Sequence, residues 1–173
     1  MFSVGDKIMY GGTGVCVVQD ITTICPTGSR DPREYYILKP LYQSGTIQTP
    51  VDNAKIPIRY VLSRREAEAL VDSIPDVPAI ICTEKNLSAL RNYYKDAMSS
   101  FECLDLVRMT KSIYAKKKDA ESRQKKIGVT DEKFLRRAED LLFGELAVAL
   151  DIPMDSVSSY IADRLGNLEK MPE

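Results

Sequence analysis

FSVGDKIMYGGTGVCVV, residues 2–18, decides how the first third of the chain folds. Phe2, Val4, Ile8 and Tyr10 share one parity, with Ser3, Gly5 and Lys7 on the other, the period-two pattern of a half-buried strand with one face on a core. Gly11, Gly12 and Gly14 supply the positive-φ positions of a tight reversal, and Val15, Val17 and Ile21 resume on a second strand. This is a hairpin that opens a small barrel.

Residues 25–33 follow as a loop dense in Pro, Gly and Ser. Residues 34–41 return as a strand, Gln43, Ser44 and Gly45 turn it, and residues 46–51 continue with Ile47, Thr49 and Val51 on one side. Around Pro57 only an edge or closing piece is possible, because proline donates no ladder hydrogen bond. Four or five short strands in about sixty residues predict a Tudor-like or SH3-like β-barrel over residues 1–62.

The period then changes from 2 to 3.6. Ser63 and Glu66 have capping-box spacing ahead of Ala67, Leu70, Val71 and Ile74, which predicts a short amphipathic helix. With the Pro-containing loop behind it, this helix forms a connector over residues 63–83. Asn86 caps a second helix with the stripe Leu87, Leu90, Tyr94, Ala97 and Met98. Ser99 and Glu102 open a third with Leu104, Val107, Ile113 and Tyr114 on its apolar side. Thr130 caps a fourth, lined by Leu135, Ala138, Leu142, Leu146 and Ala149 and expected to be the most buried. Val157, Ile161, Leu165 and Leu168 suggest a last short helix. The fold class is α+β: a β-barrel followed by an all-α helical domain over residues 84–173.

Charge is plentiful but balanced, 24 Lys+Arg against 25 Asp+Glu, so the chain as a whole is no polycation. Its distribution is uneven: residues 84–150 carry 14 basic against 11 acidic residues, and residues 151–173 carry 2 against 5, an acidic tail. The densest basic run is Arg108, Lys111, Lys116, Lys117, Lys118, Arg123, Lys125 and Lys126. A solvated helix face and a phosphate-binding surface both fit that composition.

The chain has no His, and its four cysteines, Cys16, Cys25, Cys82 and Cys103, form no CxxC pair, so no metal site is expected. Neither a nucleophile with an adjacent base nor a phosphate loop is present, because the Gly11 to Gly14 turn lacks the Lys and the following helix that a phosphate cradle needs. An enzyme, a cofactor and a small-molecule substrate are therefore not expected. Ser3, Gly5, Asp6 and Lys7 interrupt any apolar run after Met1, and no segment approaches the ~20 apolar residues that span a bilayer. A cytoplasmic protein without membrane contact follows as the expectation.

The VGD of residues 4–6, a strand ending in Tyr10, a Gly-containing turn and a Val-rich strand together resemble the CarD/CdnL family of bacterial transcription regulators. Residues 34–39, EYYILK, resemble the family's central strand, and Gly144-Glu145-Leu146-Ala147 its signature in the last large helix. The resemblance spans residues 2–150. It implies a barrel that binds the β subunit of RNA polymerase and a helical domain that contacts promoter DNA at the upstream edge of the −10 region, modulating open-complex stability. On this resemblance Thr23, Ile24, Gln48 and Thr49 are the polymerase-binding candidates, and Leu90, Arg91, Lys95, Lys133, Arg136 and Arg137 the DNA-binding ones.

Two departures from the family follow. Many members carry a Trp that wedges into the minor groove; here Leu90 stands at that position and the chain has no Trp. Leu90 fits a base-step wedge and a buried stripe alike, with the stripe favoured. Arginines that the actinobacterial branch places on the barrel appear as Ile24 and Gln48, which removes a charge-assisted contact while main-chain pairing at a sheet edge remains possible. Two functions compete: a non-enzymatic transcription regulator, and a protein-interaction adaptor that keeps the barrel's partner and lost DNA function with the Trp. The lost Trp and acidic tail favour the adaptor; the basic run opposes it.

Overall fold

The structure is a computed structural model that describes residues 1–168. Residues 169–173, the end of the acidic tail, lie outside the described residues, as does the side chain of Leu168 expected on the last apolar stripe. The chain divides into two compact units, Met1–Val61 and a second from Leu62 onward. The protein is α+β, with an antiparallel five-stranded sheet followed by helices.

The sheet contains β1 (Lys7–Tyr10), β2 (Gly14–Ile24), β3 (Arg33–Pro40), β4 (Ile47–Pro50) and β5 (Ile58–Tyr60), in the order β4-β3-β2-β1-β5. β4 and β5 stand at opposite ends and do not pair, so the sheet is open, against the expected closed barrel. Both end strands are short, and β4 ends on Pro50, which lacks a ladder donor. The sheet nonetheless curls around one core of Ile8, Tyr10, Cys16, Val18, Tyr36 and Leu38, with Ile47, Val51, Ile56 and Ile58 packed against it. Burial pushes the Cys16 thiol up to about 11, so it stays protonated.

Three local features depart from simple alternation. Residues 2–6 form no strand: the Asp6 carboxylate accepts from Ser3 N at 2.8 Å and Gly5 turns at φ +95°, which leaves Val4 exposed. Gly11 and Gly14 take positive φ but Gly12 does not. In β2 a bulge between Val18 and Asp20 inserts one residue, so that Ile21 rather than Asp20 comes opposite Tyr36 on the core side.

The second unit holds α1 (Arg64–Ser73), α2 (Leu87–Ala97), α3 (Cys103–Ser122), α4 (Val129–Leu150) and α5 (Val157–Leu168). The capping box of α1 forms as the spacing requires, with Glu66 N donating to Ser63 Oγ at 3.2 Å and Ser63 N to Glu66 Oε2 at 2.8 Å. Asn86 caps α2 by accepting from Ser88 N and Ala89 N. Residues 63–83, expected as a connector, contribute Ala67, Val71 and Val77 to the helical core.

The phase of α3 differs from the expected stripe. Val107 and Ile113 are buried as expected, but Leu104 and Tyr114 are exposed, and Cys103 and Leu106 take their places in the core. The Cys103 thiol donates at 2.8 Å to Oε2 of Glu145, a fully buried residue of α4. Oε1 of Glu145 accepts from Leu62 N at 3.0 Å, so one carboxylate anchors both the entry of the chain into this unit and the start of α3. α4 begins at Gly128 rather than at a Thr130 cap, because Asp131 reaches back to Gly128 N at 3.3 Å.

α5 is held to α1 by a two-pronged ion pair, Arg164 Nε to Asp72 Oδ1 at 2.5 Å and a second guanidinium nitrogen to Oδ2 at 2.9 Å. That hydrogen bond holds the Asp72 carboxyl below its ordinary value of 3.8. A group lowered in the folded state contributes stability that is fully present above its unfolded value and lost as pH falls through the folded one. Urea midpoints measured against pH should therefore place Asp72→Asn below the parent at pH 7, and the two curves should meet in strong acid. A constant gap at every pH would show that the ion pair adds nothing.

Candidate functional site

The polymerase-binding candidates fall on two faces of the sheet. Ile24 lies opposite Arg33 and Gln48 opposite Ile37, both odd positions of β3, so Ile24 and Gln48 share the face that also carries Tyr35 and Ile37. Thr23 and Thr49 pair with Glu34 and Tyr36 and point the other way. Thr23 is exposed, whereas Thr49 is 1% exposed and its Oγ1 accepts from Asn53 Nδ2 at 2.8 Å, so its side chain is closed to a partner. Nor do the four sit on one edge: β3 separates Thr23 and Ile24 on β2 from Gln48 on β4. β4 is an end strand, with one side open to main-chain pairing.

In the helical unit Leu90 is 4% exposed and belongs to the core with Tyr94, Leu106 and Leu135. Its side chain is therefore not available as a wedge while the unit is folded. Arg91, Lys95, Lys133, Arg136 and Arg137 are all exposed. Arg91 and Lys95 are four apart on α2, and Lys133 and Arg137 four apart on α4, so each pair shares a helix face; Arg136 is turned about 100° from Arg137.

A buried polar cluster ties these two helices together. The Tyr94 hydroxyl donates to Asp131 Oδ1 at 2.5 Å, and Lys116 Nζ of α3 donates to the same oxygen at 2.9 Å. The rings of Tyr94 and Phe134 lie 5.1 Å apart. Burial, then the Asp131 bond, raises the Tyr94 hydroxyl far above the ordinary tyrosine value, so it remains a donor at neutral pH. No local pattern links Tyr94 to Asp131, 37 residues away.

The basic run of α3 is less free than its composition implies. Lys111 Nζ donates to the carbonyls of Ile74, Pro75 and Val77 at 2.6, 3.2 and 2.5 Å. Arg108 pairs with Asp105 at 2.7 Å, Arg123 with Asp119 at 3.3 Å, and Lys116 with Asp131. Lys117, Lys118, Lys125 and Lys126 remain exposed. Tyr114 donates to Glu139, and burial followed by that bond pushes its hydroxyl up to about 12.

Among the described residues no three His, Cys, Asp or Glu side chains converge as metal ligands, and no helix is long and apolar enough to cross a membrane. The four thiols are unbridged, Cys16 and Cys103 buried and Cys25 exposed. The fold is that of a two-unit α+β protein. Residues 2–62 match the family model of the CarD-like/TRCF RID domain. The sheet unit is thus similar to that CarD-like domain, which is a protein-interaction domain and not a known enzyme family, and the match suggests an RNA polymerase-interacting, transcription-related protein. Among curated proteins none matches the chain.

Proposed function

We propose that this protein is a transcription regulator whose sheet unit, acting as a Tudor-like module, docks on the β subunit of RNA polymerase. Its helical unit then contacts promoter DNA near the upstream edge of the −10 region and modulates open-complex stability. The family match of residues 2–62 carries the polymerase half of this reading. Docking would use the open side of β4 with Gln48, and the face shared with Ile24; Thr23 lies beside it, and Thr49, whose main chain pairs with Tyr36 of β3, supports the strand without touching the partner. The exposed cations Arg91, Lys95, Lys133, Arg136 and Arg137 support the DNA half. They suit phosphates, which orient a protein without reading bases, so isolated DNA binding should be weak, salt-sensitive and sequence-tolerant.

The burial of Leu90 favours a second reading, an adaptor that binds polymerase without acting on DNA. One experiment with two variants separates them: binding to the isolated β lobe, alongside open-complex lifetime on a promoter. Gln48→Glu should weaken lobe binding by about tenfold or more, because the new charge has to be desolvated at the contact. Arg91→Ser combined with Lys95→Ser should leave lobe binding intact and change the lifetime. An unchanged lifetime would select the adaptor, and unchanged lobe binding by Gln48→Glu would remove β4 from the docking surface.

A further inference from the structure

We propose that the cleft between α2, α3 and the segment 77–83 receives a single arginine side chain from a protein partner. The cleft has a volume of about 250 Å³ and is lined by Ile80, Tyr93, Asp96, Ala97, Arg108 and Met109, among others. Pockets for drug-sized ligands run from roughly 300 to 1,000 Å³, so this one suits one long side chain. Met109 is buried at its floor, while Tyr93, 43% exposed, and Ile80, 57% exposed, form an apolar rim. Such a rim on a water-facing cleft fits the stem of a side chain whose head is charged.

The sign of that charge follows from the carboxylates. Asp105 is already engaged, by Arg108 at 2.7 Å on Oδ1 and by the Ser100 hydroxyl at 2.7 Å on Oδ2. The Asp96 carboxylate has no partner among the described residues. The uncompensated charge of the cleft is therefore negative, which disfavours a phosphate and selects a cation. Asp96 stands three residues after Tyr93, on the same side of α2, so one planar guanidinium can stack on the ring while its fork meets the carboxylate; an ammonium offers neither geometry.

The cleft is also built in advance. Tyr93 leans on buried Tyr94 in a T-shaped contact, centroids 5.6 Å apart. The wall carrying Ile80 is tied down by Ser112 Oγ, which accepts from Ile80 N at 2.9 Å, and by the three carbonyls that Lys111 holds. Tyr93 is two residues from both Arg91 and Lys95, about 200° around the helix. The cleft thus opens on the opposite flank of α2 from those cations, and its role does not depend on the polymerase or DNA readings.

The test is a titration of the full chain, followed by backbone amide NMR shifts, with N-acetyl-arginine amide and with its uncharged citrulline counterpart. The arginine compound should shift Ile80, Tyr93 and Asp96. Citrulline, or the variant Asp96→Asn, should bind about tenfold more weakly, the effect of losing one charge-assisted pair. Tyr93→Phe should retain binding and Tyr93→Ala should lose it. Equal binding of citrulline, or binding untouched by Asp96→Asn, overturns the proposal, as would larger shifts from deoxycytidine monophosphate than from the arginine compound.

Discussion

Asp131→Ala is expected to destabilise the helical unit by about 3 kcal/mol, the lower end of what breaking a buried ion pair costs. Asp131 is 3% exposed and accepts from Tyr94, Lys116 and Gly128 N. Its removal strands a buried hydroxyl, leaves the first turn of α4 uncapped and isolates a cation whose side chain is 22% exposed. That residual access to water is why the low end applies. Asp131→Asn keeps an acceptor for Tyr94 and for the cap, and should recover part of the loss. Asp131→Ala with Lys116→Met should lie above the sum of the two single effects, since the second change removes the stranded charge. Urea unfolding followed by helical circular dichroism reads all three. A midpoint for Asp131→Ala equal to the parent would show that the cluster contributes nothing. The cluster also ties α2 and α3 to the first turn of α4.

Sequence periodicity carried most of the secondary structure and little of the site. The strands were legible because alternation survives inspection residue by residue, and the caps at Ser63 and Asn86 because they act within three residues. The bulge after Val18 was not, since an inserted residue changes parity only relative to a partner strand. Barrel closure was over-read for a related reason: five strands imply curvature, but the ends join only if the last strands have donors to pair. Thr130 is the better cap by residue preference, yet Asp131 at the third helical position reaches back to Gly128 N and puts the cap of α4 at Gly128, ahead of Thr130. The α3 cations looked like one solvated run because the acceptors of Lys111 and Lys116 are 34 to 37 and 15 residues away. Nothing local in sequence encodes such pairings. Tyr94 could be placed on the apolar stripe, but its bond to Asp131 and the cleft beside Tyr93 required the helices to be docked.

Leu90 gives the other large effect, because its position separates a core residue from a DNA wedge by two opposite outcomes. At 4% exposure within the helical core, Leu90→Ala should cost roughly 2–5 kcal/mol through lost burial and the cavity left among its neighbours. The core that holds Leu90 also holds Tyr94, Leu106 and Leu135, drawn from three helices, so collapse around a smaller side chain requires coordinated movement and the upper half of that range is expected. Leu90→Trp should also destabilise, by about 1–3 kcal/mol, since a packed site has no room for the larger ring. Any promoter effect of either change would then track the fraction of unfolded protein and vanish at temperatures where the unit is fully folded. Arg91 and Lys95, exposed on the next face of the same helix, would stay free for the phosphate contacts proposed for them. A wedge residue would behave in the reverse manner: unchanged melting, a shortened open-complex lifetime for Leu90→Ala and a lengthened one for Leu90→Trp. Measuring melting and lifetime on the same two variants decides between them, and parental melting of Leu90→Trp is the result that would remove Leu90 from the core.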